Sequence, residues 1–506
     1  MYQQIFGPFF QRCQIYLPAL SNLGCAGSLM MNALNYLVLA EASTGRLIAT
    51  LIAAIVLILV LILKFRVQAF ISLLLASIFV GLASGTMSMT DIGKTIESSM
   101  GSSLGFIATI IGVGAIFGAM IEHCGGAQSL ANGMLRITGE KRATWAMLFS
   151  GFLISIPVFL DVALVILAPI IYALARRSGK SVTVYGMPLL AGMMVTHSFV
   201  PPTPGPTWVA YTLGIPIGTV ILYSLLVGIP TAILSGISFG GRIAATIHID
   251  PPELEQTEEK DPPPFGMIAA ILLLPIILIV AGSIVEQSVG SSLPTGLAKN
   301  VRSEKISELL GSAPLWQQTI SFLGHPIIAL LLVTCLSLWL LGTKRGASRN
   351  TLMEVSTKAL GPAGIIILIT GAGGVFKGML GASGVGDALA NALDGLGISA
   401  LLLAFLFSSI SRIAQGSATV AMVMAATLMS PILAKLDLSD AKLSLIVVAI
   451  ACGAAGFSHV NDSGFWMVSR YLRMTEKETL KTWSVVSTAV AFIGITLASI
   501  VWLVVS

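Results

Sequence analysis

The chain has 506 residues, of which 55% are apolar and only 10% are Asp, Glu, Lys or Arg, against roughly 25% charged in a soluble protein. That balance excludes a disordered chain and an ordinary soluble domain. A net charge of +5, spread over short segments, excludes a nucleic-acid-binding surface and leaves an all-α polytopic membrane protein.

Residues 1–46 are semi-polar, aromatic-rich and without a signal-peptide layout. They form an N-terminal extension, either a surface helix or a product of start-site choice with Met30 or Met31 as the true start. Windows without a charge follow at 47–63, 67–90, 98–121, 181–241, 262–285, 309–343, 359–376, 443–461 and 482–506, where a spanning helix needs roughly 20 apolar residues. Two more are broken by one charge each: 143–175 contains Asp161, and 395–434 contains Arg412. Both read as re-entrant hairpins, with Pro157 near the first tip and Gly416 to Thr419 near the second. The five cysteines, Cys13, Cys25, Cys124, Cys335 and Cys452, have no framework spacing and read as small apolar residues.

Lys and Arg favour the cytoplasmic side. Placing Lys64 and Arg66 inside puts eighteen Lys and Arg inside and seven outside. The acidic loop 242–262 is then a cytoplasmic linker, and the C-terminus lies outside.

A shift of 259 residues superimposes 105–132 on 364–391 with 11 identities, including Gly112, Phe117, Met120 and Gly125 on Gly371, Phe376, Met379 and Gly384. The two copies cross the membrane in opposite senses, so 47–241 and 263–506 are read as inverted repeats, an architecture of secondary transporters. Each half also carries a segment that cannot remain helical. The first is HSFVPPTPGP at 197–206, where Pro201, Pro202, Pro204 and Pro206 lack N–H groups. The second is SHVNDSGFW at 458–466, with Gly464 inside it. Paired breaks at matching places are a pointer to a substrate site.

These motifs, with CGGAQ at 124–128, FLDV at 159–162, GAGG at 371–374 and RIAQGSAT at 412–419, resemble the gluconate permease family over about residues 47–506. The resemblance implies import of sugar acids, in some members D-serine, together with protons. It also implies inverted repeats with two re-entrant hairpins, a homodimer, and a bacterial inner-membrane location. Carriers of that family often have His where this chain has Thr203 and Glu where it has Asp161; the departures bear on substrate rather than fold.

The candidate substrate-binding residues are Arg412, Ser417, Thr419, Asn461, Asp462, Ser198 and Thr203. Pro201, Pro202, Pro204, Gly205, Pro206 and Gly464 supply the broken backbone. Arg412 is either a carboxylate clamp, since guanidinium binds carboxylate in two places, or a structural partner of Asp161 or of backbone carbonyls. Asp161, Asp462, His197 and His459 are the candidates for proton coupling. Asp161 is equally suited to holding its hairpin tip, and each His to tying loose backbone groups together. Ser417 and Thr419 donate to substrate or bond within their helix. Lys377 snorkels to the surface, and the glycines at 371, 373 and 374 permit close helix packing.

No metal site or cofactor is expected, and no Walker motif points to ATP. The reading is a proton symporter for gluconate or a related hydroxy acid, working by alternating access. The rivals are a sodium-coupled carboxylate or D-amino-acid carrier and an intramembrane enzyme, for which neither GxSxG nor HExxH is present.

Overall fold

A computed structural model describes residues 44–252, 262–293, 299–394, 399–436 and 438–505. Most of the N-terminal extension and residues 253–261 of the acidic linker lie outside the described residues, as does the side chain of Asp161. Every regular element among the described residues is helical.

The chain enters through α1 (Thr44–Leu63) and α2 (Ala69–Ser84), then the 35-residue α3 (Met89–His123). At 1.5 Å per residue α3 is ~52 Å long, well beyond a hydrocarbon core of about 30 Å. It continues past its charge-free window because Ser88 caps it, accepting from the Asp91 N–H, which satisfies one of the orphan donors of a helix start. After α4 (Gly126–Thr138) come α5 (Ala143–Ile154) and α6 (Leu160–Ser178), then α7 (Val182–Phe199), α8 (Pro204–Leu213) and α9 (Ile217–Ile233). The last runs on through a π-helical turn, Leu234–Phe239.

The second half opens with α10 (Phe265–Gly290), α11 (Lys299–Gly311), α12 (Leu315–Gly324) and α13 (Pro326–Ser337). The window 309–343 is therefore two helices broken at His325 and Pro326. There follow α14 (Arg349–Ala382), α15 (Val385–Asp394), α16 (Ala400–Gln415), α17 (Ala418–Leu433), α18 (Asp440–Ala455), α19 (Ser463–Tyr471), α20 (Glu476–Lys481) and α21 (Trp483–Val504). Among the described residues, seven helical stretches are long and apolar enough to cross a membrane; Ala69–Ser84, Ala400–Gln415 and Ala418–Leu433 are apolar but shorter.

The repeat is visible in the element register. Adding 259 to the first residues of α3, α4, α6 and α8 gives 348, 385, 419 and 463, within one residue of the starts of α14, α15, α17 and α19. The turn after each long helix repeats too. Gly125 has φ 74° and its counterpart Gly384 has φ 73°, a left-handed conformation that glycine adopts without steric cost.

α3 and α14 pack along their length, and the glycines of α14 explain how. A β-carbon on Gly374 would overlap the Ser103 side chain, and one on Gly378 would overlap Ser99. In lipid, small residues let backbones approach where hydrophobic driving force is lacking. α7 and α18 are buried on nearly every face, as helices that are apolar all round should be. They form the centre of the molecule, and both end at a break.

Candidate functional site

α7 stops at Phe199 because Pro201 and Pro202, joined by a cis peptide bond, cannot continue a helix. α8 restarts at Pro204, where the missing N–H is one of the orphans in any case. α18 stops at Ala455. The chain then passes through Phe457 at φ 56° and starts α19 with Asp462 as cap, its Oδ1 accepting from the Gly464 N–H at 2.9 Å.

Two hairpin tips face these breaks. α5 and α6 are separated by residues 155–159, with Pro157 in the gap, so the arms are 12 and 19 residues and Asp161 falls in the first turn of the second arm. α16 and α17 are separated by Gly416, at φ 75°, and Ser417, whose Oγ accepts from the Val420 N–H at 3.4 Å. A β-carbon on Gly416 would overlap the Asn461 carbonyl. Asn461 in turn donates from Nδ2 to the carbonyls of Ile413 at 2.9 Å and Ala414 at 3.2 Å. The second break is thus tied to the end of α16, using carbonyls that a helix C-terminus leaves unpaired.

Between tips and breaks lies a cavity of about 370 Å³. Its polar side is formed by His197, Arg412, Ser417, Thr419, Asp462 and Ser463, its apolar side by Phe159, Leu160, Met194, Pro362, Ile366 and Trp483. Leu160, Ala418 and Ser463 are the first residues of α6, α17 and α19, so three helix N-termini open into one space. Helix N-termini present unpaired N–H groups and a positive dipole end.

Arg412 is 2% exposed. Its Nη2 donates to Asp462 Oδ2, its Nη1 to the Gly416 carbonyl and its Nε to the Gly456 carbonyl at 3.2 Å. Asp462 Oδ2 also accepts from Ser458 Oγ, which accepts from Trp483 Nε1 at 2.9 Å. Arg412 therefore pairs with Asp462, fifty residues away, and with two backbone carbonyls.

The other sequence candidates separate by position. Ser417, Thr419, Asp462, Gly464 and His197 line the cavity with Arg412. Thr203 and Pro202 line a smaller void beyond His197, about 20 Å³, next to Ser155 and Pro157. That is room for one water. Thr203 Oγ1 itself donates to the Val200 carbonyl at 2.8 Å. Ser198 is fully buried beside Met194 Sδ. His459 Nδ1 lies 2.8 Å from the Phe457 carbonyl, and Asn461 is spent on α16; neither lines the cavity. Pro201 is buried in the first break; Pro204, which also lines the small void, Gly205 and Pro206 are buried in the first turn of α8, where a β-carbon on Gly205 would overlap Met422.

Lys377, expected to snorkel, instead donates from Nζ to the Thr212 carbonyl at 2.6 Å. A cation at the C-terminal end of α8 complements the helix dipole. Trp483 and Ser458, absent from the candidates, hold Asp462 in place. Trp483 gave no signal, because an aromatic residue at a helix start reads as an interfacial anchor. Among the described residues no group of three His, Cys, Asp or Glu is placed to hold a metal ion. A third space, about 290 Å³, shares Phe159, Val162 and Pro362 with the main cavity and extends to Glu122, His123 and Lys358.

Sequence comparison adds relatives. The family model described as GntP family permease matches residues 46–505. A gluconate permease of Pseudomonas aeruginosa is 36% identical over 84% of this chain and 91% of its own. A low-affinity gluconate transporter of Escherichia coli is 34% identical over the same shares, and a gluconate permease of Bacillus subtilis is 35% identical over 84% and 92%. Among solved structures, the YdaH transporter of Alcanivorax borkumensis, described as having an unusual topology, is similar at a TM-score of 0.53 and 15% identity, covering 82% of this chain and 88% of that one. That likeness concerns the fold.

Proposed function

The chain belongs to the GntP permease family, multi-pass membrane transport proteins rather than enzymes, and from that premise we propose that it imports gluconate or a closely related hydroxy acid with protons. The observation that carries the reading is the convergence of three helix N-termini on one cavity fringed with hydroxyls. The N-termini of α6 and α17 suit a carboxylate; that of α19 is already capped by Asp462. Ser417, Thr419 and Ser463 offer donors and acceptors to a polyol chain, and Phe159, Met194 and Ile366 exclude water from its carbon face. A volume of about 370 Å³ falls at the small end of the range for ligand sites.

The repeat supports a reading of alternating access. Two hairpin tips and two breaks meet at one place, so rocking one set against the other exposes the cavity to either side. The adjoining space toward Glu122, His123 and Lys358 is then the cytoplasmic exit, in keeping with Lys64, Arg66, Lys344 and Arg345 on the inner side of a bacterial inner membrane. The coupling proton is carried by a cavity group, His197 or Asp462. The names of the relatives support gluconate as the first substrate to try.

Proteoliposomes with an imposed inward proton gradient test this. Accumulation of labelled gluconate that collapses with a protonophore is the expected result. Accumulation of a neutral sugar but of no hydroxy acid overturns the anion reading, and gluconate accumulation driven equally by sodium at fixed pH overturns the proton.

A further inference from the structure

We infer that the guanidinium of Arg412 is a resident cation, the protein's own occupant of a cation site, and that its task is to neutralise Asp462 and two helix ends rather than to grip the substrate. The inference goes beyond the transport reading and holds whatever anion the cavity receives.

Three acceptors surround the guanidinium: the Gly416 carbonyl, the Gly456 carbonyl and Asp462 Oδ2. Gly416 and Gly456 are the residues at which α16 and α18 end. The carbonyls at a helix C-terminus carry partial negative charge. Two such ends plus a carboxylate are the donor set with which broken membrane helices hold a small cation. Here the set is filled from within the chain. Three of the five N–H donors of a guanidinium are engaged, and Arg412 is 2% exposed, so little of it is left for a ligand.

The two halves differ at this point. The position related to Arg412 by the 259-residue repeat is Leu153 (412 − 259 = 153), an apolar residue. The first tip meets the first break with no arginine, leaving the small void beside Ser155, whose Oγ has no hydrogen-bond partner, and His197. The fixed cation is a property of the second half alone.

A consequence distinguishes the two roles. A lone Asp462 carboxylate on the cavity wall would repel an incoming anion, and Arg412 cancels it. Facing Asp462 are the guanidinium of Arg412 from α16, bonded to it, and the imidazole of His197 from α7, which lines the same cavity. If Arg412 neutralises, removing both charges restores what removing Arg412 destroys. If Arg412 clamps substrate, it does not.

The test is thermal unfolding of the full-length protein in detergent, with no substrate present, so that it stands apart from the gluconate reading. The probe is guanidinium chloride at millimolar concentration, with tetramethylammonium chloride as ionic control. In Arg412→Ala the vacated site should bind guanidinium and raise the midpoint by about 2 °C or more, while the wild type shows no rise. Equal responses of the two proteins, or no rise in the mutant, overturn the inference. Where Arg412→Ala alone cannot be recovered folded, the double variant Arg412→Ala, Asp462→Asn decides. Recovery of folded protein supports a neutralising role, and failure of the double variant as well overturns it.

Discussion

Gly374 of α14 and Ser103 of α3 sit so close that a β-carbon on the glycine would overlap the serine side chain, and these two helices are the copies that the sequence repeat relates. The contact fixes how the halves meet. Gly374→Ala should therefore destabilise the carrier by about 1–3 kcal/mol, the usual cost of overpacking a tight site. Ser103→Gly should restore much of that loss, giving a coupling energy of about 0.5–3 kcal/mol in a double-mutant cycle. Unfolding midpoints of the four proteins in detergent measure it. Strict additivity would mean the helices separate at no cost.

Gly416 is under a double constraint, a φ of 75° and the Asn461 carbonyl in the space a β-carbon would need. Gly416→Ala should abolish transport while leaving insertion into the membrane intact. Strain in a left-handed position costs about 1–3 kcal/mol, enough to displace the second break but not to unfold a bundle. Uptake per unit of membrane-inserted protein, from quantitative blotting, checks this.

Much of this architecture was legible beforehand, and the exceptions share a cause. Charge-free windows located the spans because a bilayer penalises charge, and Pro201, Pro202 and Pro204 located the first break because proline cannot sit within a helix. The repeat survives as identities and as helix register. Side-chain direction in the broken segments was not legible. Helical periodicity says which face a residue occupies, and 200–203 and 456–462 have none. Ser198 and Thr203 were grouped with His197, and Asn461 and His459 with Asp462, by proximity in sequence, yet of these six only His197 and Asp462 line the main cavity. The partner of Arg412 was hidden for a related reason. Asp462 lies fifty residues on, beyond α17 and α18, and no local pattern links them.

Sidedness predicts a labelling pattern. With all five native cysteines replaced, Lys94→Cys should react with an impermeant maleimide added to intact cells, and Arg349→Cys only after permeabilisation. Both positions are exposed, so access to the reagent is decided by the membrane alone. The opposite pattern would reverse the topology; labelling of both from outside would remove the inverted relation between the halves.

The hydroxyls at the start of α17 should set affinity. Thr419 lines the cavity with Ser417, but Ser417 also caps the helix. Thr419→Val keeps the shape and removes the hydroxyl. Losing a neutral hydrogen bond of about 0.5–1.5 kcal/mol should raise KM for gluconate roughly 2–13-fold with little change in maximal rate. Ser417→Ala should lower both affinity and stability, because it removes a cap as well. Initial rates in proteoliposomes over a range of substrate concentrations separate the two.

Proton coupling is best probed at His197. With Phe159 it lines both the main cavity and the small void at the first break, and it sits on α7 at the point where the helix is about to end. Under the proposed proton coupling, a protonated imidazole beside the cavity would attract the carboxylate and a neutral one would release it. His197→Gln keeps a polar side chain of similar reach but cannot change charge. The variant should exchange labelled for unlabelled gluconate across the membrane at a substantial rate, yet fail to accumulate it against a gradient. Its uptake should also lose the decline with rising external pH that a protonation-dependent carrier shows. If His197→Gln still concentrates gluconate and keeps the wild-type pH profile, the proton travels on another group. Asp462→Asn is then the next variant to examine, with its stability measured in parallel because it leaves Arg412 buried and unpaired at a cost of about 3–5 kcal/mol.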